Sequence, residues 1–104
     1  MYTEDYLLRM IRRLAEAVGR FLRGDAELGE VEGTLQECFG LSLATLDLLP
    51  AAALLGMLER GDTMGAQRVE AVADFLDALA TRAPDHPRAA TRWAKAAALR
   101  AAAG

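Results

Sequence analysis

Leu7, Ile11, Leu14, Val18 and Phe21 succeed one another at intervals of four, three, four and three residues, with Leu22 beside the last. That spacing lays them along one stripe of a 3.6-residue helix, and no strand register gathers them on one face. The ends of the stripe carry matching signals. Thr3 is placed to cap the start, Glu4 and Asp5 suit its positive end, and Arg20, Arg23 and then Gly24 suit its finish. A second stripe, Val69, Val72, Leu76 and Leu79 with Phe75 alongside, repeats at three, four and three. It should end at Ala83, because Pro84 disfavours helical backbone in the residue before it.

Between and after these stripes, turn and cap residues predict four more helices. Asp25 can cap a second helix running to about Phe39, with Leu28, Val31, Leu35 and Cys38 inward and Gly40 as its stop. Gly29 and Gly33 each cost that helix about 1 kcal/mol relative to Ala. A neighbouring helix backbone passing close by is the expected reason, and a break near Gly29 is the alternative. Ser42, the only serine, can cap a short third helix from Leu43 to about Leu48. Pro50 fits the first position of a fourth that stops at Gly61, with Leu54, Leu55 and Leu58 facing inward. Asp62 or Thr63 caps the fifth, and Pro84 to Pro87 form a turn. From near Pro87 an alanine-rich sixth helix runs to about Ala103, with Trp93 and Leu99 as its large anchors. Valine and isoleucine together number only five, and asparagine is missing. The expected fold is therefore all-α, a compact bundle of five to six helices with antiparallel neighbours. Residues 1–104 suffice for a single domain, which at this size buries roughly 60–70% of the surface of its unfolded chain.

Charge is segregated along the chain. Residues 1–23 carry five arginines against three acids, and residues 24–58 carry six acids and no base. Residues 59–81 hold five acids against two arginines, and 82–104 hold five bases against one acid, for a net charge of −3. Such blocks imply one segment docking on another, or charged faces that meet partners. The candidate interaction residues are Arg9, Arg13 and Arg20 on the first helix and Glu27, Glu30 and Glu37 on the second. Helix 1 has nearly three heptads of apolar positions, so a homodimer through it is also expected.

The inventory for catalysis is thin. The chain has one His, one Cys and one Ser, well separated in sequence. His86 beside Asp85 could act as an oriented base only if a pocket gathered it with carboxylates. Cys38 lies on an apolar stripe with nothing basic in its own segment, which suits a small buried hydrophobe. Glu27, Glu30 and Glu37 have no accompanying His, and neither a calcium loop nor a glycine-rich phosphate loop is present, so no catalytic residue, metal or cofactor is expected. Arg88, Arg92 and Lys95 share one face of the sixth helix without a stacking platform, a weak nucleic-acid signal in an acidic chain. The run from Cys38 to Leu58 contains a single charge, Asp47. That central carboxylate and Pro50 argue for two short buried helices over a membrane span. One cysteine and no basic-then-apolar opening point to the cytoplasm.

Two resemblances add to this reading. Asp5, Tyr6, Leu7, Leu8, Arg9, Met10, Ile11 and Arg12 resemble the opening of a family of small, uncharacterised bacterial helical proteins. That family implies a helical fold and no site. Leu55, Gly56, Gly61, Asp62 and Ala66, with Pro84 after them, are similar to one divergent tetratricopeptide helix pair. The second resemblance implies a protein-binding role. The combined expectation is a non-enzymatic interaction or adaptor module with a protein partner.

Overall fold

The two strongest apolar stripes become the two longest helices, α1 (Glu4–Leu22) and α5 (Gly65–Arg82), which pack against each other. The computed structural model describes residues 4–59 and 64–103. Among these residues it adds α2 (Leu28–Phe39), α3 (Leu43–Leu48), α4 (Ala51–Leu58) and α6 (Ala89–Ala103), and no strand. The fold is all-α. On α5, Val69, Val72, Phe75 and Leu76 are completely buried, and its most extensive interface is with α6, followed by α1. All six helices contribute to one contiguous core. The radius of gyration, 12.8 Å, is that of a closely packed chain of this length, about 13 Å.

The stripe on α1 is spent inside the chain: Ile11, Leu14, Val18 and Phe21 are all buried. The apolar surface that suggested a dimer through this helix therefore faces its own core. At the end of α1, Gly24 adopts φ +81°, its N–H donates to Phe21 O at 3.1 Å, and Asp25 N–H donates to Arg20 O at 2.8 Å. This pair of bonds closes a helix over a left-handed glycine. It also corrects the expected start of α2. Asp25 is occupied in ending α1, so α2 begins at Leu28 after Glu27, which makes no side-chain cap. Gly40, at φ +68°, ends α2 as expected.

A second correction concerns the glycines of α2. The helix is continuous through both, and a Cβ built at Gly29 or Gly33 meets nothing within 4 Å. No neighbouring backbone comes close, so their cost to the helix is not offset by packing.

Ser42 caps α3 as expected, its hydroxyl accepting from Thr45 N–H at 3.1 Å. Pro50 stands one position before α4, at its cap, and Leu54 and Leu58 are buried while Leu55 is half-buried. Ala83 ends α5. The caps and stops expected at Thr3, Gly61, Asp62 and Thr63 lie outside the described residues.

On α6 the expectation for Trp93 is overturned. It is 42% exposed, and the inward stripe is Ala89, Arg92, Ala96 and Leu99. Small alanines on both α5 and α6 keep this contact close, and the arginine enters because a carboxylate waits for it. The tetratricopeptide likeness is not confirmed: α4 spans 8 residues and α5 spans 18, the main partner of α5 is α6, and Gly61 and Asp62 lie outside the described residues. Among the described residues no helix is long and apolar enough to cross a membrane.

Candidate binding site around the third helix

Asp47, the one charge in the run from Cys38 to Leu58, sits on α3 and needs a partner when that run is buried. Arg92 of α6 supplies it, donating from Nε to Oδ1 at 3.0 Å and from Nη2 to Oδ2 at 2.8 Å. The side chains are only 7% and 11% exposed, a two-pronged ion pair inside the fold. The hydrogen bonds from Arg92 hold the Asp47 carboxyl below the usual carboxylate range, against the opposing effect of burial. One turn along α6, Lys95 Nζ donates to Leu46 O at 2.6 Å and to Asp47 O at 3.2 Å. These carbonyls lie in the last turn of α3, where a helix leaves acceptors unpaired and favours a cation. Burial pushes the Lys95 ammonium below its ordinary value, partly offset by Asp47.

A six-residue helix is far too short to persist alone. Here α3 is held at its start by Ser42, at its end by Lys95, through Asp47 by Arg92, and by Leu46, which is completely buried. Leu48 at the end of this pinned helix is 81% exposed. It borders an open groove of about 650 Å³ lined by Leu43 and Ala44 of α3, Glu32 of α2 and Arg88 before α6. Leu43 also lines a second, smaller cleft of about 300 Å³, together with Phe21, Leu28 and Leu79. Thus Leu43 of the pinned helix borders both depressions.

His86 belongs to the smaller cleft, and the groups beside it are Arg82 and Arg92. Among the described residues no carboxylate lines that cleft. The Nδ1 of His86 accepts from Arg88 N–H at 3.0 Å, which puts the proton of the neutral ring on Nε2. Among the described residues no cluster of three His, Cys, Asp or Glu side chains could hold a metal. Cys38 is half-buried rather than enclosed, and loss of water around it pushes its thiol up, which keeps it a weak nucleophile.

The charge segregation finds an internal use. Arg13 Nη2 lies 3.0 Å from Glu37 Oε2, and Arg20 pairs with Glu30, so α1 and α2 are laced by pairs between the basic and acidic segments. All six of these residues are exposed, and Arg9 and Glu27 stand outside the two pairs. Arg100 of α6 gathers Glu70, Asp74 and Asp77 of α5, with its hydrogen bond to Asp77 foremost in raising the guanidinium's affinity for its proton. Of the basic face on α6, Arg92 and Lys95 are spent on α3, and Arg88 is exposed.

Sequence reasoning did not single out Leu48 or Arg82. The signal for the Asp47 pair was present in its isolation among apolar residues, whereas the exposure of Leu48 could not be told from the spacing of a six-residue helix. Scans against protein-family models, curated proteins and solved structures each found no match for this chain.

Proposed function

We propose that this chain is a non-enzymatic protein-interaction module, an adaptor that receives a partner segment in the groove along α3. The observation that supports it is Leu48, which is 81% exposed on a helix held at both ends. Leu48 stands with Leu43 and Ala44 along one groove, and contiguous apolar side chains on a rigid element are what interaction sites present. Glu32 on one side and Arg88 on another give the groove both signs of charge around an apolar centre. A fitting partner is a short helical segment with an aliphatic anchor for Leu43 and Leu48, flanked by a basic and an acidic residue. The exposed Arg9 and Glu27, beside the paired Arg13, Arg20, Glu30 and Glu37, form a second, weaker face of the same module. A cytoplasmic location agrees with the lone, weakly reactive cysteine.

Leu48→Asp tests the reading. Because the side chain is already in water, stability should stay within about 0.5 kcal/mol of the parent. Capture of the native partner from host cells should be lost. Unchanged capture by a normally folded Leu48→Asp variant would reject the groove as the docking surface.

A further inference from the structure

The smaller cleft beside Leu43 has a chemistry distinct from the groove. Its floor is made by Phe21 and Leu79, both buried, with the half-buried Leu28 and Leu43 as walls. Its polar side chains are Arg82, His86 and Arg92, with no carboxylate among the lining residues. Arg82 is exposed at the end of α5, its guanidinium 5.6 Å from the centroid of the Phe21 ring. Among the described residues no carboxylate pairs with it. Stacked on the ring, the guanidinium keeps its N–H edge available to a carboxylate, in the planar two-pronged geometry that arginine offers. His86 presents Nε2–H as a donor because Nδ1 is occupied by Arg88 N–H. Arg92 also lines the cleft, its charge matched by Asp47 through Nε and Nη2 and its Nη1 outside that pair.

We infer that this cleft binds a small monocarboxylate with an apolar body. The head meets Arg82, assisted by His86, and the body lies over Phe21, Leu28 and Leu79. The volume of about 300 Å³ sits at the lower end of ordinary ligand pockets. It suits a medium-chain acid and not a nucleotide, whose phosphates would also call for several uncommitted cations. This site is independent of the docking groove and shares only Leu43 with it.

The probe is octanoate, with octan-1-ol as the uncharged counterpart, followed by amide chemical shifts of the full chain. Octanoate should move the resonances of Leu28, Leu43, Leu79 and Ala83 in a saturable way, and octan-1-ol should bind at least about tenfold more weakly, since a charge-assisted hydrogen bond is missing. Arg82→Gln should bring octanoate down to the level of the alcohol, while Arg82→Lys, which keeps the charge, should retain part of the difference. Arg82 is exposed, so both variants should fold. Equal affinity for acid and alcohol, shifts centred elsewhere, no saturable shift, or an Arg82→Gln variant that binds octanoate as the parent does would each overturn the assignment.

Discussion

Asp47 is the residue on which the most structure depends, because it joins a six-residue helix to α6 through a pair of nearly buried charges. Removing only the carboxylate leaves Arg92 buried without its counter-charge. Asp47→Ala should therefore cost about 3–5 kcal/mol, read as a fall in the urea midpoint with little change in m. Replacing both partners with apolar residues of similar volume, Asp47→Leu with Arg92→Met, should recover most of that loss, since desolvation offsets much of what the pair contributes. The same residue sets an acid dependence. Folded Asp47 holds its proton less tightly than the unfolded chain does, chiefly through Arg92. Its contribution is complete above the unfolded value of about 3.9 and is lost as pH falls through the lower folded value. Unfolding curves from pH 6 to pH 2 should show that loss in the parent and a shallower one in Asp47→Asn. The sequence displayed the problem, a lone carboxylate in an apolar run, without displaying the partner. Arg88, Arg92 and Lys95 were visible as one basic face, and only the packing of α6 across α3 shows that two of them turn inward.

At the scale of elements, the long helices were legible because each stripe returns to one face at three- and four-residue intervals over several turns, and the short ones because Ser42, Gly40 and Pro50 punctuate them. What holds the short helices was not legible. Lys95 takes the last carbonyls of α3, and Arg68, itself buried, donates from Nε to Leu58 O at 2.8 Å, the final carbonyl of α4. Both are contacts from a later helix to an earlier helix's end, with separations that no local pattern encodes. Trp93 misled for a related reason: size suggests an anchor, yet the close contact of α5 with α6 selects alanine. The second helix offers the converse case, a local cost with no tertiary return. Gly29→Ala and Gly33→Ala face open space, so each should stabilise the fold by about 0.5–1 kcal/mol through helix propensity and a less flexible unfolded chain. For a domain of this size that is a rise of several degrees in the thermal midpoint per substitution, roughly 4–8 °C per kcal/mol. A fall on either substitution would show that something approaches these glycines in solution.

Over the whole molecule, the charge blocks act first as an assembly code within the chain and only then as surface. The basic α1 meets the acidic α2 through Arg13 with Glu37 and Arg20 with Glu30, and the basic α6 meets α3 and α5 through Arg92 and Arg100. Reversing one member of the α1–α2 pairs therefore does more than change a surface. Arg13→Glu with Arg20→Glu sets like charges against Glu37 and Glu30 and should lower stability, by roughly the 0–1 kcal/mol per pair that exposed ion pairs contribute and a similar amount of repulsion. Adding Glu30→Arg and Glu37→Arg restores opposite signs with the polarity exchanged, and the fourfold variant should return close to the parent midpoint. That exchanged variant separates the two uses of the charges. If it folds like the parent and captures the same partner, the ladder serves only to dock α1 on α2, and recognition belongs to the groove beside Leu48. If it folds like the parent and captures nothing, Arg9 and Glu27 with their paired neighbours form the recognising face. Sedimentation equilibrium on the parent at micromolar concentration belongs with this comparison. With Ile11, Leu14, Val18 and Phe21 buried in the chain's own core, a mass near 11.2 kDa is expected, and a mass of twice that would place a second copy among the partners of the exposed surfaces.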